Sequence, residues 1–291
     1  MSAKTKAFIY IILAGICWGT SSIFVHVLAP FGYSSLQMVA TRGTVAAISM
    51  MIYVLANNKN LYQVKPRELV LFILGGVAVY LTSSAYYSSM QLTSVSTAVI
   101  LMYTSPVLVM IYSVAFMGER LTKLKLISVV CMFVGCALVS GVIGGMKFDT
   151  FGILLGFGSS IAYTAYNIFT KIQMKNKSNP VSASMYCFIA MSIVSLFFSE
   201  PVEYLSLTAQ NPLLLIPILI ALGIMTCFLP YFLYTLALKS LPVGTASALG
   251  IVEPLAATIF SITLLGEQVS IASVSGIILI LVAVYMLSKS E

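Results

Sequence analysis

The sequence predicts an all-α integral membrane protein with ten transmembrane helices arranged as two inverted five-helix repeats. Three observations carry this prediction. First, 60% of the residues are hydrophobic and 8% are charged, whereas about 25% are charged in soluble domains; the mean hydropathy is +1.04. Second, apolar stretches of spanning length, about 20 residues, follow one another along the chain. Third, the two halves of the chain share a repeated pattern of residues.

The apolar stretches give the predicted helices in order, because a backbone within the bilayer must satisfy its hydrogen bonds without water. Short polar breaks separate them, such as 57–60 and 175–180. The first stretch follows Lys4 and Lys6 and has spanning length, so we expect a retained helix rather than a signal peptide. The predicted helices 1 to 10 are 7–28, 34–56, 68–90, 95–117, 124–143, 150–172, 182–199, 213–237, 244–265 and 271–288.

An internal repeat with a spacing of 148 residues links the two halves. Each copy holds two long apolar segments, with a proline deep inside the second. The first copy contains Tyr86-Tyr87, Val95, Thr97-Ala98, Leu101, Pro106, Ile111, Ser113 and Gly118-Glu119, and the second contains Tyr234, Val243, Thr245-Ala246, Leu249, Pro254, Ile259, Ser261 and Gly266-Glu267. Such a duplication defines the architecture before any single residue is interpreted. It predicts two units, residues 1–145 and 146–291.

The distribution of Lys and Arg predicts the orientation. Lys147 lies on one side of the predicted bundle and Arg42 lies within helix 2. The other side, called here the lysine-rich side, carries Lys4, Lys6, Lys59, Lys65, Arg67, Arg120, Lys123, Lys125, Lys171, Lys175, Lys177, Lys239 and Lys289. The positive-inside rule makes this side cytoplasmic, together with both termini. Five helices per unit then invert the second unit, which is the construction of secondary transporters and favours a carrier over a channel or a receptor.

Several motifs recur in a fixed order along the chain. They are Cys17-Trp18-Gly19, Arg42, Ser105-Pro106, Phe116-Met117-Gly118-Glu119, Glu253-Pro254 and Leu264-Leu265-Gly266-Glu267. Because these motifs occur in this order and several of them are repeated in both halves, the whole chain resembles the ten-helix drug/metabolite transporter superfamily, and within it the EamA-type permeases. The resemblance implies export of a small metabolite through a cavity between helices 1–4 and 6–9, with helices 5 and 10 in a more structural role. It does not imply which metabolite.

Glu253 and Arg42 are the candidate residues for substrate binding or ion coupling. Both are predicted near the middle of the bilayer, where a charged side chain costs about 2.5–3.5 kcal/mol. Glu253 is expected to couple transport to protons or to bind a substrate cation. The alternatives are a structural pairing with Arg42 and a protonated, hydrogen-bonded side chain that does not titrate during transport. Arg42 either binds a substrate carboxylate or ties helix 2 to backbone carbonyls or to Glu253. Ser105 occupies the position equivalent to Glu253 in the first copy, so the duplication itself does not require a charge there.

Two prolines and a set of polar side chains complete the predicted site. Pro106 and Pro254 each remove a helical hydrogen bond in mid-membrane, which predicts paired kinks that act as gating hinges. Polar aromatic rings with an amide nearby suit a cavity for an amphipathic solute, although each could simply pack within the bundle. The predicted lining residues are Trp18, Tyr80, Tyr103, Tyr163 and Asn167. The Gly118-Glu119 and Gly266-Glu267 pairs are expected to form tight turns.

Other functional classes lack support in the sequence. The chain has one histidine and no metal-ligand cluster or nucleotide-binding loop, so no enzyme activity, metal or cofactor is predicted. Its +7 formal charge is scattered over short loops and does not predict a nucleic-acid surface. The five cysteines all lie in apolar segments without a CxxC pair, which predicts buried thiols and no disulfide framework.

The sequence therefore predicts a secondary active transporter of the cell membrane that exports a small amphipathic metabolite by alternating access. An amino acid or a related compound is the expected substrate, and protons are a candidate coupling ion. Efflux of organic cations or drugs is the alternative within transporters. A lipid scramblase or a non-transporting membrane scaffold is the alternative from another class; a scramblase would have a polar groove open to the bilayer. Oligomeric state is left open by the sequence.

Overall fold

A computed structural model describes residues 2–93, 98, 101–139, 149–265 and 270–289. All regular elements within these residues are helical, which confirms the all-α prediction. Outside them lie Val95, Thr97, Lys147, the Gly266-Glu267 pair and the junction at 145–146. The α-helices are α1 Ala3–Gly19, α2 Ser21–Leu28, α3 Ser35–Asn57, α4 Pro66–Leu92, α5 Ser105–Met117, α6 Lys123–Val139, α7 Thr150–Lys175, α8 Pro180–Phe197, α9 Pro201–Gln210, α10 Pro212–Gly223, α11 Leu229–Ala237, α12 Val243–Leu249, α13 Val252–Leu265 and α14 Ile271–Lys289.

The chain carries several helical segments that are long and apolar enough to cross a membrane. They are Ala3–Phe31, Ser35–Asn57, Pro66–Ser89, Pro180–Phe197, Pro212–Ala237 and Val243–Leu264, with the shorter apolar helices Ser105–Met117 and Val274–Leu287. Large apolar side chains on their outer faces, such as Ile111 and Phe116, are 62% and 76% exposed, as expected where lipid replaces water. The prediction of a multi-pass membrane protein is confirmed, whereas the number of ten spans remains a prediction.

Some of the predicted continuous helices are interrupted. Predicted helix 1 divides into α1 and α2 at Thr20, whose hydroxyl donates to the Cys17 carbonyl at 2.6 Å. Predicted helix 8 contains a π-helical turn, Ile224–Phe228, between α10 and α11. Predicted helix 9 divides into α12 and α13 at residues 250–251, and α5 likewise begins at residue 105 after a turn at 103–104.

The interruptions change the interpretation of Pro106 and Pro254. Both were expected to kink continuous helices, but each lies in the first turn of a new helix, α5 or α13. Proline is compatible with this position, because the first N–H groups of a helix have no intrahelical acceptor. Both prolines therefore follow a break in the chain path rather than bend a helix. Their role as gating hinges remains a prediction.

A short helix, α9, lies between predicted helices 7 and 8, in residues that the sequence left outside the predicted helices. Pro201 at its first helical position favours helix initiation. The Tyr33 hydroxyl lies 2.8 Å from that of Thr208, and Gln37 Nε2 donates to Glu203 at 3.0 Å. Tyr204 and Leu207 pack on a second small core that includes Leu28 and Leu215. These tertiary contacts stabilise a helix too short to persist alone.

The contacts between helices follow the internal repeat. Under the repeat, α4 corresponds to α11, α5 to α13 and α7 to α1. The α4–α7 pair is therefore equivalent to the α1–α11 pair, and the α5–α7 pair to the α1–α13 pair. All four pairs are in contact. The α3–α8 and α6–α14 pairs, each of which is its own equivalent, are also in contact. The packing therefore agrees with a two-fold relation between the halves. Whether the repeats are inverted across the membrane remains a prediction.

Gly19 brings α1 into direct contact with α13. A Cβ atom at this position would lie 2.6 Å from Ala256 Cβ and 2.9 Å from the Ala257 backbone nitrogen. Gly19→Ala is therefore expected to destabilise the protein by about 1–3 kcal/mol, the cost of overpacking a close contact. Thermal unfolding in detergent measures the effect. Gly158→Ala is the matched control because a Cβ there meets nothing within 4 Å; equal losses in both variants would contradict the close packing.

Candidate functional site

The break between α12 and α13 is stabilised by a residue from the other half of the chain. Pro254 has no N–H to donate to the carbonyl of Gly250, four residues earlier. That carbonyl accepts instead from the Glu253 N–H at 2.9 Å and from the Tyr103 hydroxyl at 3.3 Å. Tyr103 itself lies in the turn before α5. The two helix breaks, one from each half, therefore meet at Tyr103.

Glu253 lies in the first turn of α13 and is half-buried. The Tyr103 hydroxyl donates to its Oε2 atom at 2.9 Å. The N-terminal end of a helix favours a carboxylate, because the unpaired N–H groups there carry partial positive charge. Gly15 and Gly19 of α1 allow the backbone of residues 252–253 to approach closely. Among the described residues, the hydrogen-bond partner of the Glu253 carboxylate is thus the Tyr103 hydroxyl, at the N-terminal end of α13.

Arg42 is buried in α3 and binds the π-helical turn. Its Nη1 atom donates to the Tyr87 hydroxyl at 3.0 Å, and its Nη2 atom donates to the Thr226 carbonyl at 2.9 Å. In an α-helix the donor to the Thr226 carbonyl would be the N–H of residue 230, four positions later, but residue 230 is proline. Arg42 supplies that missing donor. This is the backbone-binding role that the sequence left open for Arg42.

Arg42 and Glu253 do not form an ion pair within the described residues. The ion pair found there joins Lys125 Nζ and Glu119 Oε2 at 4.0 Å. Among the described atoms, Arg42 Nε is buried without a hydrogen-bond acceptor. The alternative of a structural ion pair between Arg42 and Glu253 is thus not seen among the described residues, and Arg42 Nε is a buried donor with unused hydrogen-bonding capacity.

Aromatic rings from three helices form the centre of the site. This aromatic cluster comprises Trp18, Tyr163, Tyr166, Tyr231 and Tyr234. Trp18 packs edge-on against Tyr231 with ring centroids 5.1 Å apart, and Tyr166 packs against Tyr231 at 5.3 Å. Tyr163 stacks on Tyr166 at 6.1 Å, and Tyr234 lies 5.8 Å from Trp18. The indole Nε1 of Trp18 is buried and finds no acceptor among the described atoms.

Asn167 joins α7 to α11 beside the aromatic cluster. Its Oδ1 atom accepts from the Tyr234 hydroxyl, and its Nδ2 atom donates to the Tyr163 carbonyl at 2.7 Å. Asn167 and Tyr234 are both fully buried. The amide therefore fixes the position of one cluster ring, and both of its polar atoms are already engaged.

The structure brings together most of the predicted site residues, with one exception. Tyr80 stacks on Phe198, at the end of α8, with ring centroids 5.8 Å apart, and no described contact joins it to the aromatic cluster. Tyr87, Tyr166, Tyr231 and Tyr234 were not selected from the sequence but take part in the site. The i,i+3 spacing of 163 with 166 and of 231 with 234 could have identified three of these rings, since it places each pair on one helix face.

Glu119 has a role that the sequence did not predict. Gly118 has a φ of 71° and ends α5 in a left-handed turn, which confirms the expected tight turn for this pair. The Glu119 carboxylate then accepts from the Val243 N–H at 2.8 Å, at the start of α12. The end of a helix in the first half is thereby fastened to the start of a helix in the second half.

Two small cavities lie beside the candidate site residues. A small cavity beside Tyr103, Pro106 and Ile251 has room for about one water molecule. A second small cavity lies next to Tyr166 and Tyr231. The described residues around Glu253 and the aromatic cluster thus enclose small spaces of about the size of a water molecule.

Comparison with known proteins identifies the family. The model of the EamA-like transporter family matches residues 5–141 and 150–289. The uncharacterized transporter YwfM of Bacillus subtilis strain 168 is 22% identical over 284 residues, which cover 97% of this chain and 93% of YwfM. An uncharacterized transporter of Archaeoglobus fulgidus is 25% identical over 296 residues, with 98% of this chain and all of that protein, 100%, covered. A crystal structure of another protein shares the fold, with a TM-score of 0.79 at 17% identity over 98% of this chain and 97% of that one. Because the family model matches both halves, this chain belongs to the EamA-like transporter family, within the drug/metabolite transporter superfamily.

Proposed function

We propose that the protein is a secondary active transporter that exports a small amphipathic metabolite, an amino acid or a related amine, across the cell membrane. The observation that carries this proposal is the position of Glu253. Its half-buried carboxylate lies at a helix break, held by Tyr103 and within the bundle that contains the aromatic cluster. A carboxylate binds an ammonium group, and aromatic rings cover the apolar part of a solute.

The buried donors near the aromatic cluster support the amino-acid assignment. Trp18 Nε1 and Arg42 Nε are buried without acceptors among the described atoms. A buried donor without a partner costs free energy, and a substrate carboxylate could supply the acceptor for either group. In this arrangement Glu253 would bind the ammonium group of a zwitterion, and Trp18 Nε1 and Arg42 Nε would bind its carboxylate.

Alternating access is the proposed mechanism. The contact pairs between the halves exchange with one another under the repeat, and two inverted units that exchange conformations produce inward-open and outward-open states. We propose that both termini lie on the cytoplasmic, lysine-rich side, and that Glu253 exchanges a proton for the substrate cation.

Efflux of organic cations is the second candidate function, and one observation favours it. Two of the three nitrogens in the guanidinium of Arg42 already bind the Tyr87 hydroxyl and the Thr226 carbonyl. A substrate carboxylate would thus meet a largely occupied Arg42, whereas a cation needs only Glu253 and the aromatic faces.

A thermal-shift screen of the purified protein separates these candidates. Ligands that bind the folded state raise its melting temperature. We expect amino acids to stabilise the protein more than polyamines or cationic drugs do. The screen is run at two pH values, and we expect the increase in melting temperature to differ between them. Uptake of the stabilising compound into proteoliposomes then tests transport. Stabilisation by cationic drugs alone would support the second candidate; no stabilisation by any compound, together with no uptake, would contradict both.

A further inference from the structure

A small polar cavity lies beside the aromatic cluster. It has room for about one water molecule and is lined by residues of α4, α7, α8 and α11. Its polar lining residues are Thr170, Gln173, Ser184 and Thr235, its aromatic wall is Tyr166, Phe188 and Tyr231, and Gly75, Ala183 and Cys187 complete it. None of the described side chains that line it carries a formal charge. The polar cavity therefore suits water or a neutral hydrogen-bonding group rather than a bare ion.

Ser184 contributes a buried hydroxyl group to the lining of this cavity. Its side chain is 4% exposed, and its hydroxyl finds no hydrogen-bond partner among the described atoms. Buried hydroxyl groups are normally satisfied, because an unpaired one costs free energy. A molecule in the polar cavity with donor or acceptor atoms would satisfy Ser184.

The hydroxyl-bearing residues of the polar cavity form a layer next to its aromatic residues. In α7, Thr170 follows Tyr166 by one turn; in α11, Thr235 follows Tyr231 by one turn; and in α8, which runs in the opposite sense, Ser184 precedes Phe188 by one turn. In all three helices the hydroxyl lies toward the end that leads to the predicted lysine-rich side, near Lys175, Lys177 and Lys239. The hydroxyl layer thus lies between the aromatic cluster and that side.

We propose that the polar cavity is the closed inner segment of the transport route. It holds water in the occluded state, and it widens to pass the polar end of the substrate when the bundle opens toward the lysine-rich side. Cys187 lines this segment and becomes reachable from that side. The proposal rests on the proposed transport function, and it adds the path by which substrate passes between the aromatic cluster and the lysine-rich face.

Cys187 provides a native reporter for this route. In a variant that retains Cys187 while Cys17, Cys131, Cys136 and Cys227 are replaced by alanine, we expect the membrane-impermeant reagent methanethiosulfonate ethyltrimethylammonium to label the thiol from the lysine-rich side. A matched variant retains Cys227 alone, which is also buried and makes contact with Met191 rather than with the polar cavity. Because labelling requires opening of the surrounding structure, the Cys187 thiol should react about tenfold faster than Cys227. Oriented membrane vesicles fix the side of attack, and denatured protein gives full labelling for both.

Gly75→Ala tests whether the reagent passes through the polar cavity. The added Cβ would lie 3.6 Å from Gln173 Nε2 and 3.9 Å from Cys187 Sγ, which is ordinary contact, so the variant should fold. It fills part of the polar cavity and should slow Cys187 labelling severalfold, whereas Gly158→Ala, with nothing within 4 Å of its Cβ, should not.

Equal labelling of Cys187 and Cys227, labelling of Cys187 from the opposite side alone, or an unchanged rate in Gly75→Ala would overturn the proposed route. These results would leave the proposed function intact if the same Cys187-only protein transports substrate in proteoliposomes. Absence of transport with faster, side-specific labelling would instead contradict the proposed function, while the polar cavity would still be shown to open toward the lysine-rich side.

Discussion

Glu253→Gln is expected to reduce substrate affinity or transport rate by about 10- to 100-fold without unfolding the protein. Glutamine has nearly the same shape and retains an oxygen that can accept from the Tyr103 hydroxyl, now 2.9 Å from Glu253 Oε2. What the variant loses is the negative charge. A hydrogen bond to a charged group contributes about 1.5–3 kcal/mol, and each 1.4 kcal/mol corresponds to about tenfold in affinity.

The pH dependence of transport in Glu253→Gln tests proton coupling separately. If Glu253 alternates between proton and substrate cation, transport by the parent protein should vary with pH between about 6 and 8, whereas the variant should be nearly insensitive, since glutamine does not titrate over this range. Initial rates in proteoliposomes at several pH values measure both effects. A normal rate, normal affinity and unchanged pH dependence in Glu253→Gln would remove Glu253 from the mechanism.

Glu203→Gln is the matched control for the loss of a carboxylate. Glu203 is exposed on α9 and accepts from Gln37 Nε2 at 3.0 Å, so its substitution keeps the same hydrogen-bond geometry outside the aromatic cluster. It should leave the rate and pH dependence of transport unchanged. Tyr103→Phe should give an intermediate loss, because it removes a donor to the Glu253 carboxylate but leaves the charge.

Much of the architecture was accessible from the sequence because the bilayer imposes simple rules. Apolar stretches must form helices where water is absent, and this predicted the all-α membrane class and the positions of most helices. The cost of burying charge selected Arg42 and Glu253 as candidates, and their roles in binding or coupling remain predictions. The contact pairs that exchange between the halves agree with the repeat at 148 residues.

The breaks and the partners of the charged residues were not accessible in the same way. The apolar segment Val243–Leu264 runs through residues 250–251, so hydropathy does not mark the end of α12 there. The break also depends on Tyr103, which is distant in sequence and binds the Gly250 carbonyl. The Arg42 contact with Thr226 depends likewise on the approach of α3 to the π-helical turn. Proline positions indicate which carbonyls lose a donor, but tertiary structure decides which side chain replaces it.

Pro230→Ala is expected to reduce the loss of stability caused by Arg42→Met. In the parent protein, Arg42 Nη2 donates to the Thr226 carbonyl at 2.9 Å, because Pro230 cannot. Arg42→Met leaves that buried carbonyl without a donor, which costs about 1–3 kcal/mol. Alanine at 230 restores an N–H four residues after Thr226, so the carbonyl can regain a helical bond. The coupling free energy between the two substitutions should thus be about 1–3 kcal/mol.

A double-mutant cycle isolates this term from the other effects of Arg42→Met. Removing the buried guanidinium also relieves its desolvation cost and breaks the bond to Tyr87, but these changes occur in both backgrounds and cancel in the cycle. The cycle requires the free energies of unfolding of the parent protein, the two single variants and the double variant, measured in mixed detergent micelles. Pro217→Ala is the control, because Pro217 lies inside α10, away from the carbonyl that Arg42 binds; its effect should add to that of Arg42→Met.

Transport by the double variant then decides what Arg42 does. If Arg42 acts only as a donor for the π-helical turn, Arg42→Met with Pro230→Ala should recover both stability and transport. If its buried Nε atom also binds the substrate, stability should recover while affinity stays reduced. Additive effects on stability would show that the Thr226 carbonyl is satisfied in another way when Arg42 is absent. The Thr226 carbonyl thus allows the structural and binding roles of Arg42 to be separated. A backbone N–H at residue 230 can replace Arg42 as a donor to this carbonyl, but it cannot replace Arg42 as a donor to the substrate.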